Sequence, residues 1–106
     1  NISVKLLEMM HSAVTSGTGK EAQLNKYTVA GKTGTVRLNK RGTYSKYNHN
    51  ALFVGITPSS NPEYVAAVII RDPKDGNTSG GKNAAPIFRE FMNHALNILE
   101  VYPDIK

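Results

Sequence analysis

The sequence predicts an α+β fold: a helix, three antiparallel strands and a second helix. Three observations carry this. Apolar residues recur at helical spacing over residues 2–15, three strand-like runs follow, and a longer apolar helical face occupies residues 85–99. At 106 residues, 40% hydrophobic and 20% charged, the chain is sized for one globular domain and lacks the composition of a disordered one.

In the first helix Ile2, Leu6, Met10 and Val14 fall four residues apart, with Leu7 alongside. Ser3 is a candidate cap, and Ser16-Gly17-Thr18-Gly19 stops the helix because glycine cannot sustain the last turn. Residues 17–26 are polar and read as a loop. Tyr27 to Leu38 is extended and β-branched-rich, and Gly31 and Gly34 mark a bulge or a place where something approaches the backbone closely. Residues 39–50 read as a polar loop. Ala51 to Thr57 and Tyr64 to Arg71 form a hairpin around the turn Pro58-Ser59-Ser60-Asn61-Pro62. The second of these strands is apolar at nearly every position, which predicts burial on both faces. Asp72 to Asn83 reads as a loop. The final helix starts near Ala85 with Pro86 in its first turn, where a missing N–H costs nothing. Ile87, Phe88, Phe91, Met92, Ala95, Leu96 and Leu99 share one face, and Val101-Tyr102-Pro103 ends the helix. Three strands and two helices cover each other only partly, so the sheet is expected to continue into strands outside this chain.

Thirteen Lys and Arg against eight Asp and Glu give a net charge of +5. A basic domain raises nucleic-acid binding. The densest cluster, Arg37, Lys40, Arg41 and Lys46 with Tyr44 and Tyr47, reads instead as a solvated hairpin loop, and no recognition helix or RNA-binding aromatic motif accompanies it. No nucleic-acid partner is expected, although a small module that binds an anionic polymer stays open as an alternative. The absence of cysteine excludes a disulfide scaffold and a Cys-based metal site. His11, His49 and His94 have no ligand spacing, so neither metal nor cofactor is expected, and His11 and His94 read as helix-surface residues. No apolar run reaches the ~18 residues of a membrane helix, and the residues from Asn1 carry no start Met and no signal pattern.

The chemistry concentrates in Lys32-Thr33-Gly34-Thr35. Lys32 offers a cation, Thr33 and Thr35 offer hydroxyls, and Gly34 removes a side chain so that a ligand can lie against the strand. A strand edge so equipped suits an extended peptide ending in a carboxylate, bound by strand addition. A backbone N–H here also suits a developing oxyanion. A phosphate loop is excluded, because the glycine that opens that pattern would fall at Lys26 and the lysine lies in a strand.

Lys-Thr-Gly is also a signature of the penicillin-binding protein and serine β-lactamase group. The chain resembles the transpeptidase domain of penicillin-binding proteins over almost its full length. A Gly-Thr-Gly-Lys loop precedes Val29-Ala30-Gly31-Lys32-Thr33-Gly34-Thr35. Ala51 to Val65 is similar to the family's last strand pair, and Gly80-Gly81 with Ala84-Ala85-Pro86-Ile87-Phe88-Arg89-Glu90-Phe91-Met92 is similar to its last helix. Leu96-Asn97-Ile98 with Pro103-Asp104 resembles the division-specific class B type, the penicillin-binding protein 3 type.

The resemblance implies that residues 1–106 are the C-terminal portion of a larger β-lactamase/transpeptidase-like domain. It implies a peptidoglycan D,D-transpeptidase of septal cell-wall synthesis, working through a serine acyl-enzyme and acylated by β-lactams. The implied partners are the rest of that domain, peptidoglycan stem peptides, β-lactam antibiotics and cell-division proteins. The implied location is the periplasmic face of the bacterial inner membrane, with the anchor outside this chain. Carried over by position, Lys32 supports proton movement, Thr33 and Thr35 bind the ligand carboxylate, the Thr35 N–H completes the oxyanion hole, and Gly34 lets the ligand lie flat. A serine β-lactamase or β-lactam sensor shares Lys-Thr-Gly and is the alternative.

The family's nucleophile motif, Ser-x-x-Lys, and its Ser-x-Asn motif both belong upstream of Lys-Thr-Gly. Ser3, Ser12 and Ser16 have no Lys three residues on. Downstream, Ser79-Gly80-Gly81-Lys82 and Ser59-Ser60-Asn61 match literally but fall in a glycine loop and at a hairpin tip, so both are rejected. Thr78-Ser79 stands where the family often has an aromatic residue, a departure from the family pattern that weakens the expectation of an aromatic wall on this side of the site.

Overall fold

The computed structural model describes residues 1–40, 43–73 and 79–105, with residues 38–40 and 43–48 described in backbone alone. Helix α1 spans Ile2–Ser16, followed by a short 3-10 turn at Lys20–Ala22. Strands β1 (Ala30–Lys40), β2 (Thr43–Thr57) and β3 (Tyr64–Arg71) form an antiparallel sheet in that order, and helix α2 (Gly80–Ile98) follows.

The α+β order is as the sequence predicts. Asn1 rather than Ser3 caps α1, its side chain accepting from the Ser3 N–H at 2.7 Å. At the other end Gln23 donates to the Val14 and Thr15 carbonyls at 2.8 and 3.1 Å, satisfying acceptors that the last turn leaves open.

The core lies on one face of the sheet. Phe53 of β2 shares one buried cluster with Ala84, Ala85, Phe88, Met92 and Leu96 of α2, Val14 of α1, Ala22 of the 3-10 turn, and Leu24, Tyr27 and Val29 of the connecting segment. Phe53 and Phe88 pair edge to face, with centroids 5.0 Å apart and planes at 61°. Two glycines facing each other across β1 and β2, Gly31 and Gly55, make this possible. A Cβ on Gly31 would stand 2.4 Å from Phe53 Cζ, and one on Gly55 would stand 2.4 Å from Phe88 Cζ. The close approach expected at Gly31 is therefore a ring of the protein's own core.

Several boundaries differ from the sequence reading. Residues 43–50, read as loop, belong to β2, and Arg37 pairs with His49. Their polarity hid the strand, because the sequence from Thr43 to Asn50 carries no alternating apolar pattern. Arg37 is exposed; Arg41 lies outside the described residues, as do the side chains of Lys40, Tyr44, Lys46 and Tyr47. Strand β3 alternates rather than burying both faces: Tyr64, Ala66, Val68 and Ile70 turn to the core, while Val65 and Ile69 are 68% and 60% exposed. In α1 only Val14 is fully buried, and Ile2 and Leu6 stay exposed. Helix α2 starts five residues earlier than expected, so Pro86 lies inside it rather than in its first turn. Ile87, Phe91 and Leu99 are exposed, although they share the predicted apolar stripe. His94 is exposed, but His11 is half-buried, its Nδ1 3.1 Å from the Val29 carbonyl oxygen and 3.3 Å from Ser59 Oγ.

The chain's last residues are fastened to the entry of β1. Asp104 accepts from the Thr28 N–H at 2.8 Å, from the Thr28 hydroxyl, and from the Ser60 hydroxyl at 2.6 Å. Tyr27 donates to the Val101 carbonyl at 2.7 Å. Partial burial pushes the Asp104 carboxyl up, but the hydrogen bonds from Ser60 and Thr28 outweigh it, and the net position is below the usual aspartate value. A carboxyl depressed in the folded state stabilises above its unfolded value, about 3.9, and that contribution is lost as pH falls through the folded value. Asp104→Asn is expected to lower the thermal midpoint at pH 7 by a few degrees. The gap from wild type should stay constant while the pH is well above the unfolded value and close as the pH falls through the lower folded value. Melting curves across that range check it, and a gap that widens in acid contradicts it.

Candidate active-site cleft

Strand β1 lies at the edge of the sheet, and among the described residues no strand pairs with its outer side. The register sorts its side chains. Thr33 and Thr35 sit opposite Phe53 and Ala51 and share their face, while Lys32 and Gly34 sit opposite Val54 and Leu52 on the other. The sequence-predicted quartet is thus contiguous along one edge, with its two hydroxyls together and its lysine on the alternate face.

A cleft of about 550 Å³ runs along this edge. Its lining comes from Gly17, Thr18, Lys20 and Glu21 after α1, from Lys32 to Thr35 of β1, and from Ser79 to Lys82 at the start of α2. Three lysines against one glutamate make it a cationic groove. A cleft of equal volume beside the C-terminal tail carries Glu63, Glu100 and Asp104 instead, a poor setting for an anion.

Among the described residues the hydrogen bonds inside the cleft are few. Lys32 Nζ donates to the carbonyl of Thr33 at 2.6 Å. Thr33 Oγ1 and Thr18 Oγ1 are 3.0 Å apart. Ser79 caps α2, its hydroxyl accepting from the Lys82 N–H at 3.2 Å. Ser79-x-x-Lys82 therefore sits at a helix start, not in a loop, and its serine is engaged in capping; Thr78 lies outside the described residues. Ser59 and Ser60 lie at the β2–β3 turn, where their N–H groups bond to Thr28. Among the described residues no His, Asp and Glu side chains gather into a group that could hold a metal ion.

Between Ser79 and Lys82 the start of α2 presents bare backbone, at Gly80 and Gly81, to the cleft and the strand. A Cβ on Gly80 would stand 2.0 Å from the Leu52 carbonyl oxygen and 2.8 Å from that of Gly34. A Cβ on Gly81 would stand 2.3 Å from the carbonyl oxygen of Thr18. The close approach at Gly34 is thus backbone against backbone, with the helix start resting on the strand. A Cβ on Gly34 itself would meet Leu52 at an ordinary 3.4 Å.

Sequence reasoning missed Thr18, which reads only as part of a helix stop between two glycines. Its one available signal was that the Gly-Thr-Gly-Lys loop precedes the motif strand.

In sequence and in fold the chain is similar to known proteins. The family described as penicillin binding protein transpeptidase domain matches residues 2–93. The probable peptidoglycan D,D-transpeptidase PenA of Neisseria flavescens is 38% identical over 100 residues, covering 93% of this chain and 25% of that protein. Stage V sporulation protein D of Bacillus subtilis is 39% identical over 94 residues, covering 89% of this chain and 15% of that protein. The apo transpeptidase domain of Burkholderia pseudomallei penicillin-binding protein 3 superposes with a TM-score of 0.86 at 32% identity, covering 97% of this chain and 31% of that one. The chain thus spans a quarter or less of the length of these curated relatives. With the match running from the first helix through most of the last, the chain belongs to the penicillin-binding protein transpeptidase domain family.

Proposed function

We propose that this chain supplies one wall of the active site of a peptidoglycan D,D-transpeptidase of the division-specific type, on the periplasmic side of the inner membrane. It is the C-terminal portion of that domain, and the nucleophilic serine lies in the portion outside residues 1–106. The observation that carries this is the cationic cleft along the free edge of β1, with Lys32, Thr33, Gly34 and Thr35 in a row beside it.

The chemistry follows from the parts. A stem peptide ending in D-Ala-D-Ala is extended and carries a terminal carboxylate, and an edge strand receives it by main-chain pairing. Thr33 and Thr35 share a face two residues apart, the spacing at which two hydroxyls can donate to the two oxygens of one carboxylate. The serine attacks the penultimate carbonyl, and the Thr35 N–H holds the oxyanion that develops. Collapse of that intermediate breaks the amide bond, and the terminal D-Ala leaves with a proton. The acyl-enzyme then passes to the amine of a neighbouring stem peptide. Lys32 supplies positive charge beside the reacting groups and supports the proton transfers. A β-lactam presents a carboxylate and a strained amide in the same relation and acylates the same serine.

The exposed face of the sheet supports the incompleteness of the chain. Val54, Val65 and Ile69 are 39%, 68% and 60% exposed, and they are neighbours in the register. An apolar patch on a sheet of this kind marks a surface that another element covers. We assign its cover to the rest of the same domain.

The test is covalent labelling of the complete transpeptidase domain with a fluorescent penicillin. The expected result is one labelled band that persists for minutes after excess antibiotic is removed. An unlabelled, folded domain overturns the reading, and hydrolysis of the label within seconds would assign a β-lactamase instead.

A further inference from the structure

We propose that Thr18 is a positioning residue for the ligand carboxylate, acting through Thr33; the inference rests on the cleft reading above. Thr18 Oγ1 and Thr33 Oγ1 are 3.0 Å apart, and both residues line the cleft. Among the described residues neither hydroxyl has another hydrogen-bond partner. Two hydroxyls in contact use one proton between them and leave the other free. Which one is free decides what the pair can bind.

A carboxylate only accepts. It therefore selects the order in which Thr18 donates to Thr33 and Thr33 donates onward into the cleft. In that order each bond polarises the next, so the outer donor is stronger than an isolated hydroxyl. Thr18 also removes the rotational freedom of the Thr33 hydroxyl, which otherwise turns among its staggered positions.

The position of Thr18 is itself fixed. The Gly19 N–H donates to the Ala13 carbonyl at 2.9 Å, which locks the loop against the end of α1. On the other side the carbonyl of Thr18 lies so close to Gly81 that a Cβ there would stand 2.3 Å away. The loop is clamped between α1 and the start of α2, and its hydroxyl is held against β1. A group meant to orient another needs this kind of support. Thr18 contributes nothing to the core, since its side chain is exposed.

The experiment uses the complete transpeptidase domain and a matched pair of ligands, a penicillin with a free carboxylate and its methyl ester. Second-order acylation rates are measured for wild type, Thr18→Val, Thr18→Ser and Thr33→Val, with a melting curve for each. Thr18→Val keeps the shape and removes the hydroxyl. It is expected to slow acylation by the free acid about tenfold, to leave the slower rate with the ester unchanged, and to melt within about a degree of wild type. Thr18→Ser is expected to recover most of the loss. Thr33→Val is expected to lose at least as much as Thr18→Val. Equal slowing of acid and ester by Thr18→Val makes the role structural and overturns the proposal. A wild-type rate in Thr18→Val while Thr33→Val is slow also overturns it and leaves the cleft reading standing. No acylation of the wild-type domain removes the cleft reading itself, and the proposal with it.

Discussion

Gly80→Ala is expected to destabilise the domain by about 3 kcal/mol, the upper part of the range for overpacked sites. The sign matters most, because local propensity predicts the reverse. Gly80 is the first residue of α2, and alanine in place of glycine inside a helix ordinarily stabilises by up to about 1 kcal/mol. The contacts decide otherwise. The added methyl would stand 2.0 Å from the Leu52 carbonyl oxygen, 2.8 Å from the Gly34 oxygen and 3.0 Å from the Gly34 nitrogen. All three are backbone atoms of paired strands, so no side chain can swing aside. The helix start must lift from the sheet, or β1 must shift at the residue between Thr33 and Thr35. Either movement disturbs the cleft, so acylation by a penicillin should fall together with stability. Denaturant unfolding of the complete domain reads the first effect, as a lower midpoint at constant slope. A variant as stable as wild type would refute the contact argument.

The same contact explains where the sequence misled. Gly80-Gly81 reads as loop because glycine is a poor helix former, yet both residues are helical and buried. A tertiary contact that only a bare backbone permits outweighed the local preference. Strand β3 misled in the opposite way. Tyr64 to Ile70 is apolar at nearly every position, so the sequence cannot tell its core face from its outer face; the register with β2 does. The first half of β2 was hidden because its residues are polar, although Arg37 pairs with His49 across the ladder. The legible parts were those with strong periodicity or strong chemistry: the α2 face built on Phe88, Met92 and Leu96, the hairpin around Pro58 to Pro62, and the row from Lys32 to Thr35. Pairings across distance were not legible. Thr18 lies fifteen residues from Thr33 in sequence, and Asp104 lies seventy-six from Thr28. Nothing in either local stretch announces its partner.

Lys32→Ala is expected to slow acylation of the complete domain about 10²–10³-fold, the cost usually found when one group stabilising a developing charge is removed. Lys32 is exposed, and its single hydrogen bond among the described residues is to the carbonyl of Thr33, its neighbour in sequence, at 2.6 Å. It holds no other element in place. Removing an exposed side chain of this kind changes stability by about 0.5 kcal/mol or less. The variant thus separates chemistry from folding: labelling should collapse while the melting curve stays put. Lys32→Arg sharpens the reading. It keeps the positive charge but replaces a compact ammonium with a planar fork that reaches differently and does not give up its proton. If Lys32 acted through charge alone, arginine would restore the wild-type rate. Because the proposed role includes proton transfer beside the serine, Lys32→Arg should fall between alanine and wild type, with a deficit largely unrelieved by a better-binding β-lactam. A wild-type labelling rate in Lys32→Ala would remove Lys32 from the reacting groups and leave the cleft as a binding surface only.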